Sequence, residues 1–494
     1  MTMTLSQKAC LDLVTGIHMH KLMLESDRPA AGMLGVNSPF DGRELDQVAT
    51  AGPDHVEDAL SAAQALFRNR GSWLSIPERV AILNNAASIM SSQVEELTLV
   101  AAGEGGKPYT DSKVEVLRAI DGVHLCAETL RAHPGSVIPI GTTKATTGRL
   151  AFTQKEPIGV VVAVSAFNHP LNLIVHQVGP AVASGCPVIV KPAADTPLSC
   201  LRFVRILREA GLPDAWCQAV VTDDLETAEK LVTDARVGFF SFIGSARVGW
   251  MLRSKLAPGA RCALEHGGAA PVILASPYDA DLSLSSILKG GFYHAGQVCV
   301  SVQRVFAPSS DAAKFARSLA KRAKALIVGA PEDPATEVGP LIRTGEVDRV
   351  AEWVDEAVAA GTKLLCGGEK ISNTCYAPTV LLNPPDGLAV STMEIFGPVV
   401  CVYAYDDIDA AVTQANALPV AFQAAVFSND NDQAMRLYKQ LDASAVMIND
   451  HSAFRDDVMP FAGLRESGLG IGGIPYTMED MQIDKMMVVK SDGL

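Results

Sequence analysis

Two stretches, GVVVAVSAF (159–167) and PVIVKP (187–192), decide the fold class. Each is a short run of β-branched apolar residues bounded by glycine or proline. Runs of this kind, without polar alternation, form strands buried on both faces, as in a parallel sheet flanked by helices. Outward from them, helical spacing of apolar residues appears in DHVEDALSAAQALFRNR (54–70) and in SCLRFVRILREAGLP (199–213), which closes on Gly211 and Pro213. Residues 225–234 read as another helix and VGFFSFIG (237–244) as the strand after it. Strands alternating with helices imply an α/β sheet of the dinucleotide-binding kind. The alternation restarts after residue 265, with strands expected in 270–276, 379–385 and 398–405, so a second α/β domain is expected. The tail MQIDKMMVVKSDGL (481–494) ends in an alternating apolar strand with little to pair with locally. Such a strand often completes a neighbour's sheet, which points to a homo-oligomer.

The chain has 494 residues, too many for one simple core. Hydrophobic residues make up 48% and charged residues 19%, the balance of a packed globular protein rather than a disordered one. No apolar run approaches the ~20 residues of a membrane helix. Residues 1–16 lack a basic segment followed by a hydrophobic core, and the ten cysteines are scattered without paired spacing; a reducing, cytoplasmic setting is expected. With no CxxC and no HExxH, nothing argues for a metal. The net charge of −14 disfavours nucleic acid and anionic membrane as partners, but leaves room for a small anionic substrate in a locally basic pocket.

Five further stretches carry chemistry: AFNHPLNL with Asn168, VKPAADTP with Lys191, LEHGGAAPV with Glu265, GQVCVS with Cys299, and EIFGPVV with Glu394 and Phe396. Singly, each has an ordinary explanation. A cysteine is mostly a small core residue, and Asn or Glu beside glycine is mostly a turn former. In this order, with Glu265 and Cys299 34 positions apart (265 to 299), they resemble the aldehyde dehydrogenase superfamily. The resemblance runs from VNSPFDGREL (36–45) through FIGSARVG (242–249) to MPFAGLRESGLGIGG (459–473), nearly the whole chain. It implies an α/β fold with two Rossmann-type domains and a small β oligomerisation flap. The implied boundaries are 1–131 and 152–264 for the dinucleotide-binding domain, 265–474 for the catalytic domain, and 132–151 with 475–494 for the flap. A homodimer or homotetramer is the implied assembly.

Oxidising an aldehyde by hydride transfer needs a tetrahedral intermediate, which a thiolate forms by attacking the carbonyl. The resemblance assigns that attack to Cys299 and the oxyanion donors to the Asn168 amide and the Cys299 backbone N–H. It assigns Glu265 as the general base that activates water against the thioester. Relatives that pass the acyl group to coenzyme A generally lack this carboxylate, so release of the free acid is implied. The glycines Gly296, Gly267 and Gly268 fit close backbone approach to a ligand.

No G-x-G-x-x-G follows an early strand. GSARVG (244–249) looks like the family's variant, with Gly244, Ser245 and Val248 at a helix N-terminus near the pyrophosphate. By resemblance, Lys191 and Glu394 hold ribose hydroxyls, and Phe396 packs near the nicotinamide with Phe167 beside it. Many NAD-preferring relatives carry Glu three residues after the lysine; here Ala194 stands there, with Asp195 next. Losing that carboxylate removes repulsion against a 2′-phosphate, so NADP is tolerated unless Asp195 turns inward. The cofactor is NAD or NADP.

The implied substrate tunnel carries Arg118, His169, His451 and Arg455. Structural readings stand beside each: a helix face for Arg118, a buried hydrogen-bonded ring for His169, and a solvated loop for His451 and Arg455, with Asp456 and Asp457 next door. Together Arg118, His169 and Arg455 would form a cationic pocket, since guanidinium binds carboxylate or phosphonate in bidentate fashion. A small polar or anionic aldehyde, phosphonoacetaldehyde-like or a semialdehyde, is therefore expected. The alternatives are an aromatic or aliphatic aldehyde, and a non-catalytic binding protein on the same scaffold.

Overall fold

The computed structural model describes residues 19–132 and 135–494. The N-terminal stretch 1–16 with Cys10, and residues 133–134 of the expected flap, lie outside the described residues. The first sheet has the order Gly468–Leu469, Arg261–Glu265, Val237–Ile243, Val160–Val164, Val188–Lys191, Cys217–Ala219. All neighbours are parallel except Gly468–Leu469. Alternate residues of these strands enter different cores. Val161, Ala163, Val188 and Val190 pack with the helices Asn172–Ser184 and Leu198–Glu209; Val160, Val162 and Ile189 pack with Pro53–Arg68 and Leu225–Thr233. Burial on both faces is why VVVAV has no polar position.

The second sheet has seven strands in the order Lys363–Cys366, Thr379–Leu382, Val399–Tyr405, Val302–Pro308, Ala270–Leu274, Gln423–Phe427, Ala445–Ile448. Only Lys363–Cys366 is antiparallel. Val272, Val305, Val400, Val402 and Ala425 lie in its own buried core.

The C-terminal strand Gln482–Lys490 differs from expectation in one respect. It pairs antiparallel along its whole length with Arg149–Pro157 of the same chain, and Val137–Ile138 extends the sheet. A partner more than 300 residues away leaves no mark on the local pattern. The strand remains open to its surroundings: only Gln482 is buried, and Met486 and Met487 are each 55% exposed. The helix Ile474–Asp480, by contrast, is anchored in the first core through Ile474 and Met478. Among the described residues, no helix is long and apolar enough to cross a membrane.

Candidate active site

The two sheets face each other across a cleft, and their directions determine what lines it. The first sheet presents the carboxyl ends of four adjacent strands. Glu265 and Lys191 are strand-terminal residues, Gly244 and Ser245 follow Ile243, and Asn168 lies in the loop after Val164. Ligands of such sheets bind beyond those ends. The second sheet presents strand beginnings: Gly268 leads into Ala270–Leu274, Cys299 into Val302–Pro308 and Phe396 into Val399–Tyr405. Between them lies a cavity of about 1120 Å³. It is lined by Cys299, Glu265 and Asn168; by Phe167, Lys191, Ala194, Gly244, Ser245, Val248, Glu394 and Phe396; and by Arg118, His169, His451 and Arg455.

Cys299 sits on a loop fixed from several sides. The chain leaves helix Ala280–Phe292 through a tight turn in which His294 and Ala295 adopt φ of 48° and 54°. Gln297 is buried and braces the turn, donating to the Pro340 carbonyl (3.2 Å) and accepting from the Ile342 N–H (3.0 Å). The Ser452 hydroxyl donates to the Val300 carbonyl (2.8 Å). Asn168 is buried, and its Nδ2 donates to the Gln297 carbonyl (2.9 Å). An amide nitrogen has two N–H groups, so one remains for a second acceptor. Burial pushes the Cys299 thiol up, and the carboxylates of Glu394 and Glu265 add to this.

The glycines expected to admit a ligand make room for the chain itself. A Cβ on Gly296 (φ 72°) would lie 2.1 Å from the Gly397 carbonyl oxygen. One on Gly267 would lie within 2.1 Å of the Glu394 carboxylate carbon and both its oxygens. Glu394 therefore lies flat on the Gly267 backbone and accepts from the Gly268 N–H (3.3 Å). Burial raises its pKa to about 8, opposed by that N–H. Burial likewise raises Glu265 to about 7, opposed by the Arg455 charge.

These side chains fit a nicotinamide dinucleotide. The half-buried Lys191 ammonium has one hydrogen bond among the described residues, to the Pro192 carbonyl (3.3 Å). Ser245 begins the helix Ala246–Arg253 without bonding its first N–H groups through its side chain, leaving donors of the kind that take a phosphate. Phe167 and Phe396 meet edge to face at 5.9 Å across the cleft.

The substrate end carries less free positive charge than the sequence suggested. Arg118 is bound by Asp457, with Nε to Oδ2 at 3.2 Å and Nη2 to Oδ1 at 2.6 Å, and His176 Nε2 reaches the same Oδ1 at 2.7 Å. Asp457 is buried rather than solvated. Burial opposes its ionisation, but His176 and Arg118 outweigh this and hold it below the usual carboxylate range. His169 is kept neutral by burial and by nearby cationic groups, Lys107 first, and its Nε2 pairs with the Tyr293 hydroxyl (3.0 Å). Burial also lowers His451. The expected three-cation pocket thus contracts to Arg455. Its Nη1 donates to the Asp456 and Met459 carbonyls (2.6 and 2.7 Å), its plane stacks on Phe461, and its Nη2 has no partner.

Several residues that matter here carry no sequence signal. Glu115 is buried against Lys107 and accepts the N–H groups of Leu171 and Asn172 (2.9 and 3.0 Å), fixing the helix start just after Asn168. Glu104 does the same for Leu198 and Ser199 (2.7 and 2.8 Å), just after the Lys191 loop. A charged residue in a helix reads as solvated unless the packing around it is known, so no pattern flags these two.

Parallel strands ending on a shared cleft, a helix start facing it, and a cysteine with a carboxylate and an amide around it define a dinucleotide-dependent dehydrogenase with a thiol in its active cleft. The comparisons narrow this: the aldehyde dehydrogenase family profile matches residues 27–487, and the chain belongs to that family. It is 36% identical to a 3-sulfolactaldehyde dehydrogenase of Priestia megaterium over 443 residues, covering 90% of this chain and 92% of the other. Aldehyde dehydrogenase 21 of Physcomitrella patens, solved with the reaction product succinate, superimposes with a TM-score of 0.92 at 32% identity, over 97% and 99% of the two chains. A glyceraldehyde-3-phosphate dehydrogenase of Methanocaldococcus jannaschii complexed with NADP superimposes with a TM-score of 0.88 at 32% identity, over 94% and 100%. The protein is an NAD(P)-dependent aldehyde dehydrogenase.

Proposed function

We propose that the protein oxidises a small polar or anionic aldehyde to the free carboxylic acid, with Cys299 as nucleophile, Asn168 and the Cys299 N–H as oxyanion donors, and Glu265 as general base. The Cys299 thiol gives its proton to water and its sulfur adds to the carbonyl carbon, while the spare Asn168 N–H meets the developing oxyanion. Lys191, Glu394 and the start of helix Ala246–Arg253 would hold the nicotinamide cofactor, which would supply the hydride acceptor needed to take the thiohemiacetal to a thioester. Glu265 then takes a proton from water as the water attacks the thioester carbon; the C–S bond breaks, and the acid leaves. A carboxyl with a pKa of about 7 suits this task, since a base is most effective when its pKa lies near the working pH.

The observation that carries the substrate reading is Arg455: a guanidinium at the inner wall of the cysteine cleft, with an unpartnered Nη2 and its charge felt by both Glu265 and Cys299. Arg118, held by Asp457, and His169, held by Tyr293, supply a polar rather than a second cationic surface. One net cation suits a single anionic group or a hydroxylated chain. The names of the relatives, a sulfolactaldehyde dehydrogenase and an enzyme solved with succinate, agree with this. The exposed Met486 and Met487 support self-association through the C-terminal strand, as a homodimer or homotetramer.

The test is reduction of NAD+ and NADP+ with sulfolactaldehyde, succinate semialdehyde, phosphonoacetaldehyde, lactaldehyde, propanal and benzaldehyde, by wild type and Arg455→Met. The expected result is highest kcat/KM for the anionic or hydroxylated substrates. A charged hydrogen bond of about 1.5–3 kcal/mol predicts that the variant loses roughly 10- to 150-fold more on anionic substrates than on propanal. A wild-type preference for benzaldehyde, or an equal loss on every aldehyde, overturns the reading.

A further inference from the structure

Arg343 and Asp195 face each other across the Lys191 end of the cleft, from opposite halves of the molecule. Asp195 lies four residues past Lys191, on the loop beyond the first sheet; Arg343 immediately precedes the helix Thr344–Ala359 of the second half. The Arg343 Nε donates to Asp195 Oδ1 (3.0 Å) and its Nη2 to Oδ2, a two-point clamp. Both residues line the cavity with Lys191 and Ala194. Two acidic neighbours share this end. Asp224 is committed to capping the helix Leu225–Thr233, accepting from the N–H groups of Glu226 and Thr227 and from the Thr227 hydroxyl. Asp195 and, after it, Asp223 are close enough to Lys191 for their charges to act on it.

Of the two carboxylates that act on Lys191, Asp195 is thus paired with a guanidinium, and the position nearer the lysine is an alanine. We infer that Arg343 is a cofactor-selecting residue: it pairs with Asp195 and so offsets that carboxylate beside Lys191, and it offers a cation there, so that NADP is accepted along with NAD. A guanidinium that binds a carboxylate at two points can bind a phosphate the same way, so the 2′-phosphate exchanges with Asp195 as its partner. The selection is exercised by the second half of the chain on a ribose held by the first. It rests on the reading that Lys191 marks the ribose.

The experiment measures dissociation constants for NAD+ and NADP+ by titration calorimetry, with kcat/KM alongside, for wild type and the variants Arg343→Ala, Arg343→Gln, Asp195→Ala and Lys191→Ala. Arg343 and Asp195 are joined at the cavity rim, with the Arg343 side chain 61% exposed, so the fold survives their replacement. Loss of Arg343 should weaken NADP+ relative to NAD+ by about tenfold, and loss of Asp195 should shift the ratio about as far the other way, as expected for one close charge pair at a partly exposed site. Ratios unchanged within twofold in both variants overturn the inference. Lys191→Ala separates the two levels. If it weakens both cofactors while the ratios stay fixed, the role of Arg343 fails alone; if it leaves both constants as in wild type, the ribose site itself is misplaced.

Discussion

Replacing Glu265 by Gln removes the proposed base while keeping the shape of the side chain, and its effects differ with pH in a way the structure specifies. With a pKa of about 7, Glu265 is about 9% ionised at pH 6, half ionised at pH 7 and about 90% ionised at pH 8. Turnover limited by thioester hydrolysis should therefore rise about fivefold from pH 6 to 7 and less than about twofold from 7 to 8. In Glu265→Gln, mixing enzyme, aldehyde and cofactor should still give a burst of reduced nicotinamide close to one per active site, because attack and hydride loss precede the base. The steady rate after the burst should fall by about 10²–10⁴-fold, the usual worth of a general base, and its limb near pH 7 should vanish. Stability moves the opposite way. A carboxyl raised from 4.5 to about 7 by burial costs nothing below pH 4.5, where both folded and unfolded states are protonated. The cost grows as pH rises through that interval and is complete above 7. It reaches roughly 3 kcal/mol at pH 8 and less than about 1 kcal/mol at pH 5, at 1.36 kcal/mol per pH unit. The variant should thus unfold at higher temperature than wild type at pH 8 and at nearly the same temperature at pH 5. A variant that turned over within tenfold of wild type, or kept the pH 7 limb, would refute the assignment of the base.

Two other substitutions probe the supports of the site. Lys107→Met leaves the buried Glu115 carboxylate without its cation and should cost about 3–5 kcal/mol in denaturant unfolding, whereas Lys107→Met with Glu115→Gln should recover much of it; equal losses in single and double variants would show that the pair is not coupled. In Gly472→Ala the new Cβ would lie 2.0 Å from Glu265 Oε1, the far end of a flexible side chain. The fold should tolerate this while the displaced base slows steady turnover, on the order of 10²-fold for a shift near 1 Å; the burst and the rate of Cys299 alkylation should hold. Loss of the burst instead would mean that the cysteine loop had moved.

The burial of VVVAV on both faces explains why its strand was legible: every residue meets a core, so the requirement is written into five consecutive positions. The C-terminal strand was legible as a strand from its alternating apolar residues, but not its partner 149–157, because pairing register depends on chain segments that local pattern never compares. The proposed catalytic set was legible through resemblance, since Cys299, Glu265 and Asn168 stand in short motifs next to strands. Arg455 and Arg118 were equally visible as residues, yet which of them is paired with a carboxylate was not. Asp457 reads as a loop residue until folding brings Arg118 and His176 onto it from two helices.

The sequence by itself determined the α/β class, the two sheets and the candidate residues of the proposed reaction, because strand burial and strand-end motifs are local properties. Only the tertiary structure decided the charge of the substrate end, the buried supports Glu104 and Glu115, the seat of Glu394 on Gly267 and the clamp between Arg343 and Asp195. Each of these depends on which group a charge or a backbone meets after folding. The energy of a charge is set by the distance to its counter-charge and by the water it loses, and neither is recorded along the chain.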